Sequence, residues 1–197
     1  MKISMSNGNQ KLKATIFNLP AGKTCKSCLS CQSYCYAKKA ERQYPNVLPS
    51  RNSNLESTKN ELFVPEMIKR LDSKKSEFVR LHESGDFYEQ GYIQKWFEIF
   101  KKTQDKHFYA YTKRDDLFSL DILSRKPKNC TLIYSIDGII TEKDIKKIEI
   151  PTGFDKIAMV HETISTCPAQ KNKEVMCGRD CQICITGKLN TIVFKKH

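Results

Sequence analysis

Residues 77–113 read EFVRLHESGDFYEQGYIQKWFEIFKKTQDKHFYAYTK, a strand, a helix and a second strand in succession. EFVRLHES (77–84) is a short apolar run broken by Gly85-Asp86, as expected of a buried strand that ends in a turn. From Glu89 to Thr103 the period changes, and Tyr92, Trp96, Ile99 and Phe100 fall on one helical face. HFYAYTK (107–113) returns to strand texture, and TLIYSID (131–137) and KIAMVHE (156–162) repeat it. Helical segments near Asp116–Leu123 and Glu142–Ile148 separate these runs. Strands alternating with helices predict βαβ units and a parallel sheet. The fold class is therefore α/β: a partial (β/α) barrel, which we prefer, or a small open parallel sheet.

Outward from that core, KATIFNLP (13–20) reads as a further strand stopped by Pro20, and Leu55–Leu71 as a helix to which Pro65 is a local objection. The stretch from Tyr44 to Asn54 is polar and carries Asn and Pro. One domain, 1–197, is expected: a cysteine-rich N-terminal segment (1–54), a βα core (55–162) and a cysteine-rich C-terminal segment (163–197), the two cysteine-rich segments packed together on the core. A chain of 197 residues with 39% hydrophobic residues has enough apolar material for a core. No apolar stretch approaches the roughly 20 residues of a membrane span, and MKISMSNGNQ lacks the apolar centre of a signal peptide. A cytoplasmic location follows as an expectation. The net charge of +12 suits a polyanionic partner such as nucleic acid. The lysines are scattered in pairs with no block of five like charges, so an ordinary solvated surface accounts for them equally simply.

In a reducing compartment, nine cysteines argue for metal ligation ahead of disulfides. The N-terminal set is Cys25, Cys28, Cys31 and Cys35, spaced as in bacterial ferredoxins but followed by Tyr36 where those have Pro. The C-terminal set is Cys167, Cys177, Cys181 and Cys184. Four and four predict two [4Fe–4S] clusters, with cross-ligation between the sets left open. Zinc is the alternative metal, although cysteines bunched this closely favour a cluster over the paired ligands of zinc sites. Cys177-x3-Cys181-x2-Cys184 also resembles the radical S-adenosylmethionine motif, but only 13 residues follow Cys184, whereas radical enzymes place the motif early. Cys130 reads as a small buried residue.

FNLPAGKTC, Cys31-x3-Cys35-Tyr36-Ala37, RLHESGDFY (80–88), Tyr92 with Trp96, and FYAYTK (108–113) together resemble the phage- and plasmid-borne gene-eighty-eight protein family of actinobacteriophages. The resemblance spans about residues 16–115 and the C-terminal cysteines. It implies a host-cell cytoplasmic location and no particular reaction. The family pattern aligns to Cys25, Cys31 and Cys35 and leaves Cys28 outside it.

Each predicted strand ends in ionisable groups, where parallel α/β sheets build their sites. His82, Glu83 and Asp86 are the candidate catalytic groups: His82 as a proton shuttle or metal ligand, Asp86 to orient a substrate or merely cap the next helix. Strand alternation places Arg80 beside His82, where it binds an anion or sits buried and paired. Lys113 and Arg114 are placed to grip phosphate or carboxylate, or to lie in a solvated loop. His161 ends the last predicted strand shortly before Cys167 and completes the candidate substrate-binding set. GKT (22–24) is no P-loop, because Phe17 stands where that motif needs Gly. Two functions follow as expectations. The first is an iron–sulfur enzyme of redox or radical type acting on a small molecule, such as a phosphorylated one, or a nucleotide, with an electron donor. The second is a zinc- or cluster-stapled nucleic-acid-binding module without catalysis.

Overall fold

A computed structural model of the chain describes residues 2–9, 11–25, 29–32, 35–145 and 147–196. Seven strands form one open sheet: β1 (Met5–Ser6), β2 (Thr15–Phe17), β3 (Phe78–Leu81), β4 (His107–Thr112), β5 (Cys130–Ile140), β6 (Lys156–His161) and β7 (Thr191–Lys195). They lie side by side in chain order, β1 antiparallel to β2 and every later pair parallel. The helices are α1 (Leu29–Gln32), α2 (Tyr36–Gln43), α3 (Val47–Lys59), α4 (Phe63–Asp72), α5 (Gln90–Lys102), α6 (Leu120–Ser124), α7 (Glu142–Ile145) and α8 (Pro168–Lys171). None is long and apolar enough to cross a membrane.

Strand alternation sorts the core into two faces. Phe17, Val79, Leu81, Phe108, Ala110 and Leu132 meet α4, α5 and α6 on one side. Ile16, Phe78, Tyr109, Ile133, Ala158 and Ile192 point the other way, under Leu12, Ala14 and Ile185. The C-terminal cysteine segment is stitched to the chain start by Lys13 N–H to the Cys177 carbonyl (2.8 Å) and Cys177 N–H to the Lys11 carbonyl (2.9 Å). The exposed edge of β7 is blunted, since Thr166 Oγ1 accepts from Val193 N–H and Gln170 Oε1 from Lys195 N–H.

The strong periodicities locate β3–β6 and α5 to within a few residues. Leu55–Leu71 is two helices rather than one. Asn60 breaks it, its Oδ1 accepting from Leu62 N–H at 2.8 Å, and Pro65 falls in the first turn of α4, where no N–H is required. Pro49 sits likewise in the first turn of α3, so the polar stretch before Leu55 is mostly helix. Asn54 is buried there because it is a clamp: its Oδ1 takes Ser4 N–H, and its Nδ2 gives to the Ser4 and Asn18 carbonyls. The expected helix near Asp116–Leu123 is a 3-10 turn (Asp115–Leu117) followed by α6. Cys130 is buried among the apolar groups of the helical face.

Candidate functional site

The turn after β3 is laced to the end of β2. His82 N–H gives to the Phe17 carbonyl (2.9 Å), Ser84 N–H to Asn18 Oδ1 (2.9 Å) and Ser84 Oγ to the Leu19 carbonyl (2.9 Å). Among the described residues His82 alone is a non-glycine with positive φ, at 60°, and Gly85 follows at 80°. Such a non-glycine conformation costs free energy and persists where the surroundings over-determine it. Gly85 is obligatory for a second reason: a Cβ there would lie 2.6 Å from Leu19 Cβ and 2.7 Å from Thr24 Oγ1. Gly85→Ala is expected to lower unfolding free energy by about 2 kcal/mol or more. Urea denaturation checks this, and a loss below about 0.5 kcal/mol counts against the tight turn.

This turn, the end of β4 and the middle of β5 enclose a cavity of about 220 Å³. Its walls are Cys25, Cys31, Cys35 and Tyr36 from the N-terminal segment, His82–Asp86 from the turn, and Tyr111, Thr112, Lys113 and Ser135 from the strands. A second groove of about 160 Å³, between α5 and α6, contains none of these groups. Asp86 is 7% exposed. Its Oδ1 accepts from Phe87 N–H (2.7 Å) and its Oδ2 from Lys113 N–H (3.0 Å). Burial nevertheless pushes its carboxyl up to about 6, outweighing those bonds, the Thr112 hydroxyl and Arg114. Lys113 Nζ gives to the Ile136 carbonyl (2.7 Å) and to the Ser135 hydroxyl (3.2 Å) and carbonyl (3.3 Å). Asp137 Oδ1 lies 3.9 Å from the same ammonium, a long ion pair. Burial lowers the pKa of this ammonium, opposed by Asp137, Asp86 and Cys25. The Cys25 thiol is pushed up by burial and by Asp86 and Cys35.

The candidate residues divide accordingly. His82, Glu83, Asp86 and Lys113 meet in the cavity wall. His82 is held neutral, its imidazole lowered to about 3 by burial, with Nε2 2.9 Å from the Tyr92 hydroxyl. An imidazole so placed plugs the turn against α5 and does not shuttle protons near neutrality. Arg80 lies on the sheet face away from α5, its guanidinium 5.4 Å from the centre of the Tyr111 ring. Arg114 is turned aside: Nε and Nη2 fork onto Asp116 (2.7 and 3.0 Å), and Nη1 gives to the Phe87 carbonyl. His161 is 8% exposed, and its Nδ1 accepts from Thr163 and Ile164 N–H (both 3.1 Å), a strand-end turn outside the cavity. Tyr111 escaped the sequence reading, whereas Thr112 and Ser135 belong to the polar strand ends that the sequence marks. The alternation Tyr109–Tyr111–Lys113 was the available signal for Tyr111.

The cysteines require a correction. Among the described residues, no group of three or more His, Cys, Asp or Glu side chains is placed to hold a metal ion. That overturns the expected iron–sulfur protein with its two clusters, and with it the metal-stapled binding module. Cys28 lies outside the described residues. Cys31 is disulfide-bonded, which removes a thiolate from the N-terminal set. Cys25 and Cys35 flank α1 and line the same cavity wall. In the C-terminal set Cys167, Cys181 and Cys184 act on Cys177, whose thiol is pushed up to about 11, chiefly by burial. Cys184 is hydrogen-bonded to the Tyr111 hydroxyl.

Fold and site together define an α/β protein with a polar-lined cavity at the carboxyl edge of a mostly parallel sheet. The family model for Gene product 88 matches residues 2–190, and the chain belongs to that family. No curated protein and no solved structure matches it significantly.

Proposed function

We propose that the protein binds a small anionic molecule in this cavity and moves a proton to or from it. Asp86 is the group that gives or takes the proton, and Lys113 the cation that holds the anion. The observation that carries this reading is the Asp86 carboxyl, buried in the cavity wall and poised at about 6. A carboxyl in that range is part protonated near neutrality, as proton transfer in both directions requires. Lys113, the cation in the cavity wall, sets the charge of the ligand. The hydroxyls of Ser84, Thr112 and Ser135 line the same walls and suit a polar, oxygen-rich molecule. A sheet of sequential parallel strands is also what a partial (β/α) barrel unrolls to, and in barrels the carboxyl edge is where ligands bind. Carboxylates and phosphorylated small molecules both fit this description.

Calorimetric titration with pentanoate and with inorganic phosphate tests it. Wild-type protein is expected to bind at least one of them, and Lys113→Met to lose at least about tenfold in affinity, the scale of one charge-assisted hydrogen bond. No binding to the wild type, or equal binding to the variant, removes the reading.

A further inference from the structure

Arg80 is a cation only loosely paired in the fold. Its side chain is 22% exposed and its nearest carboxylate, Glu83, is 3.9 Å away. A guanidinium carries five N–H donors in a fixed fork, yet among the described residues Nε is buried without a partner. Glu83 is drawn aside by Asn9, whose Nδ2 gives to Oε1 at 3.3 Å. The guanidinium carbon lies over the Tyr111 ring, 5.4 Å from its centre, a cation–π contact that consumes no N–H donor. Contrast Arg114, whose fork is filled by Asp116.

Register places this cation relative to the cavity. Arg80 pairs with Tyr109 across β3 and β4. Tyr109, Tyr111 and Lys113 follow on the same face at two-residue intervals. The Arg80 guanidinium leans one pleat toward the carboxyl edge, because it reaches Tyr111 rather than stopping level with Tyr109. The Cα atoms of Arg80 and Lys113 are thus about 13 Å apart along the strands, at about 3.3 Å per residue. Tyr111 and Glu83 contact Arg80 and also form part of the cavity wall.

We propose that Arg80 is a second anion anchor beside the cavity, so that the ligand is a small dianion spanning Tyr111 with one charge at Lys113 and the other in the Arg80 fork. This rests on the anion-binding reading of the cavity and adds the substrate class to it. A short dicarboxylate or a phosphorylated carboxylate has the required form.

Glutarate and pentanoate, equal in carbon number and differing in one carboxylate, are the probes, titrated into the full-length protein by calorimetry. Wild-type protein is expected to prefer glutarate by at least about tenfold. Arg80→Met is expected to bring glutarate to within about twofold of pentanoate and leave pentanoate unchanged. A preference that survives in Arg80→Met, or an equal loss of both ligands, overturns the proposal. Should Arg80→Met fail to fold, Arg80→Lys decides. It keeps the charge and loses the fork, so a fall in affinity for glutarate alone supports the anchor and an unchanged preference overturns it. Glutarate replaced by phosphoglycolate in the same titrations separates the phosphate from the carboxylate source. Pentanoate binding without preference for either dianion refutes Arg80 alone, whereas no binding of any of the three also removes the reading of the cavity.

Discussion

Trp96→Ala is expected to lower the free energy of unfolding by about 3–5 kcal/mol, the range for deleting a large buried aromatic. Trp96 is fully buried, and its neighbours come from four separate elements. Phe17 of β2 meets it edge-on at 5.3 Å, Phe63 of α4 at 5.7 Å, Phe100 of α5 at 5.8 Å and Phe108 of β4 at 6.4 Å. None of these rings is itself exposed, so none can swing in from solvent to fill the space. The cost thus includes a cavity as well as lost transfer energy. Phe17 is also the strand residue whose carbonyl receives His82 N–H, so loosening the cluster reaches the turn that carries Asp86. Urea denaturation of Trp96→Ala and of the milder Trp96→Phe measures the effect. Trp96→Phe is expected to lose less than half as much, since a ring of the same kind still bridges the elements. A loss below about 1 kcal/mol in Trp96→Ala would show that helices and sheet are held elsewhere.

How much of this was legible before folding depends on what each signal reports. Alternation and helical period report which face of an element is buried, and they located β3 to β6 and α5 because those elements are decided by burial. They were silent on α2 and most of α3, where Asn54 is buried for its hydrogen bonds and Arg51 for its links to Glu41 and the Ala37 carbonyl. Strand ends bring His82, Glu83, Asp86 and Lys113 into one cavity wall, because parallel strands deliver their carboxyl ends to one edge. Arg114 and His161 lie outside that wall, the first forked onto Asp116 and the second in a local turn after β6. Cysteine spacing failed for a different reason. It measures separation along the chain, while ligation depends on where side chains converge: α1 alone lies between Cys25 and Cys35, and among the described residues no three candidate ligands are placed to hold a metal ion.

Two substitutions in the turn after β3 are expected to tilt the pH dependence of stability in opposite directions. His82 is neutral in the folded chain down to about 3, against an ordinary value of 6.5. Between those values the unfolded chain binds a proton that the folded chain refuses, so stability is lost as pH falls, by about 1.4 kcal/mol per unit and about 5 kcal/mol in all. Asp86 does the reverse, because its folded value of about 6 lies above its ordinary 3.8. Over that interval the folded chain keeps a proton that the unfolded chain has released, so stability is lost as pH rises, by about 3 kcal/mol in all. Between about pH 4 and pH 6 the two slopes cancel in the wild type. His82→Asn removes the first, and Asn tolerates the positive φ at this position. Its stability relative to wild type is expected to fall by about 1.4 kcal/mol per unit as pH rises from about 4 to 6. Asp86→Asn removes the second. It turns an amide toward the Phe87 or Lys113 N–H, a fixed cost at every pH. Its relative stability is expected to climb with pH by the same amount per unit across the same interval. His107, whose imidazole is also lowered by burial, titrates alike in all three proteins and drops out of the differences. Urea denaturation at pH 4.5, 5.25 and 6 gives the three profiles. Parallel profiles would mean that neither group is buried in the form the turn imposes, and the proton-transfer role of Asp86 would fall with them.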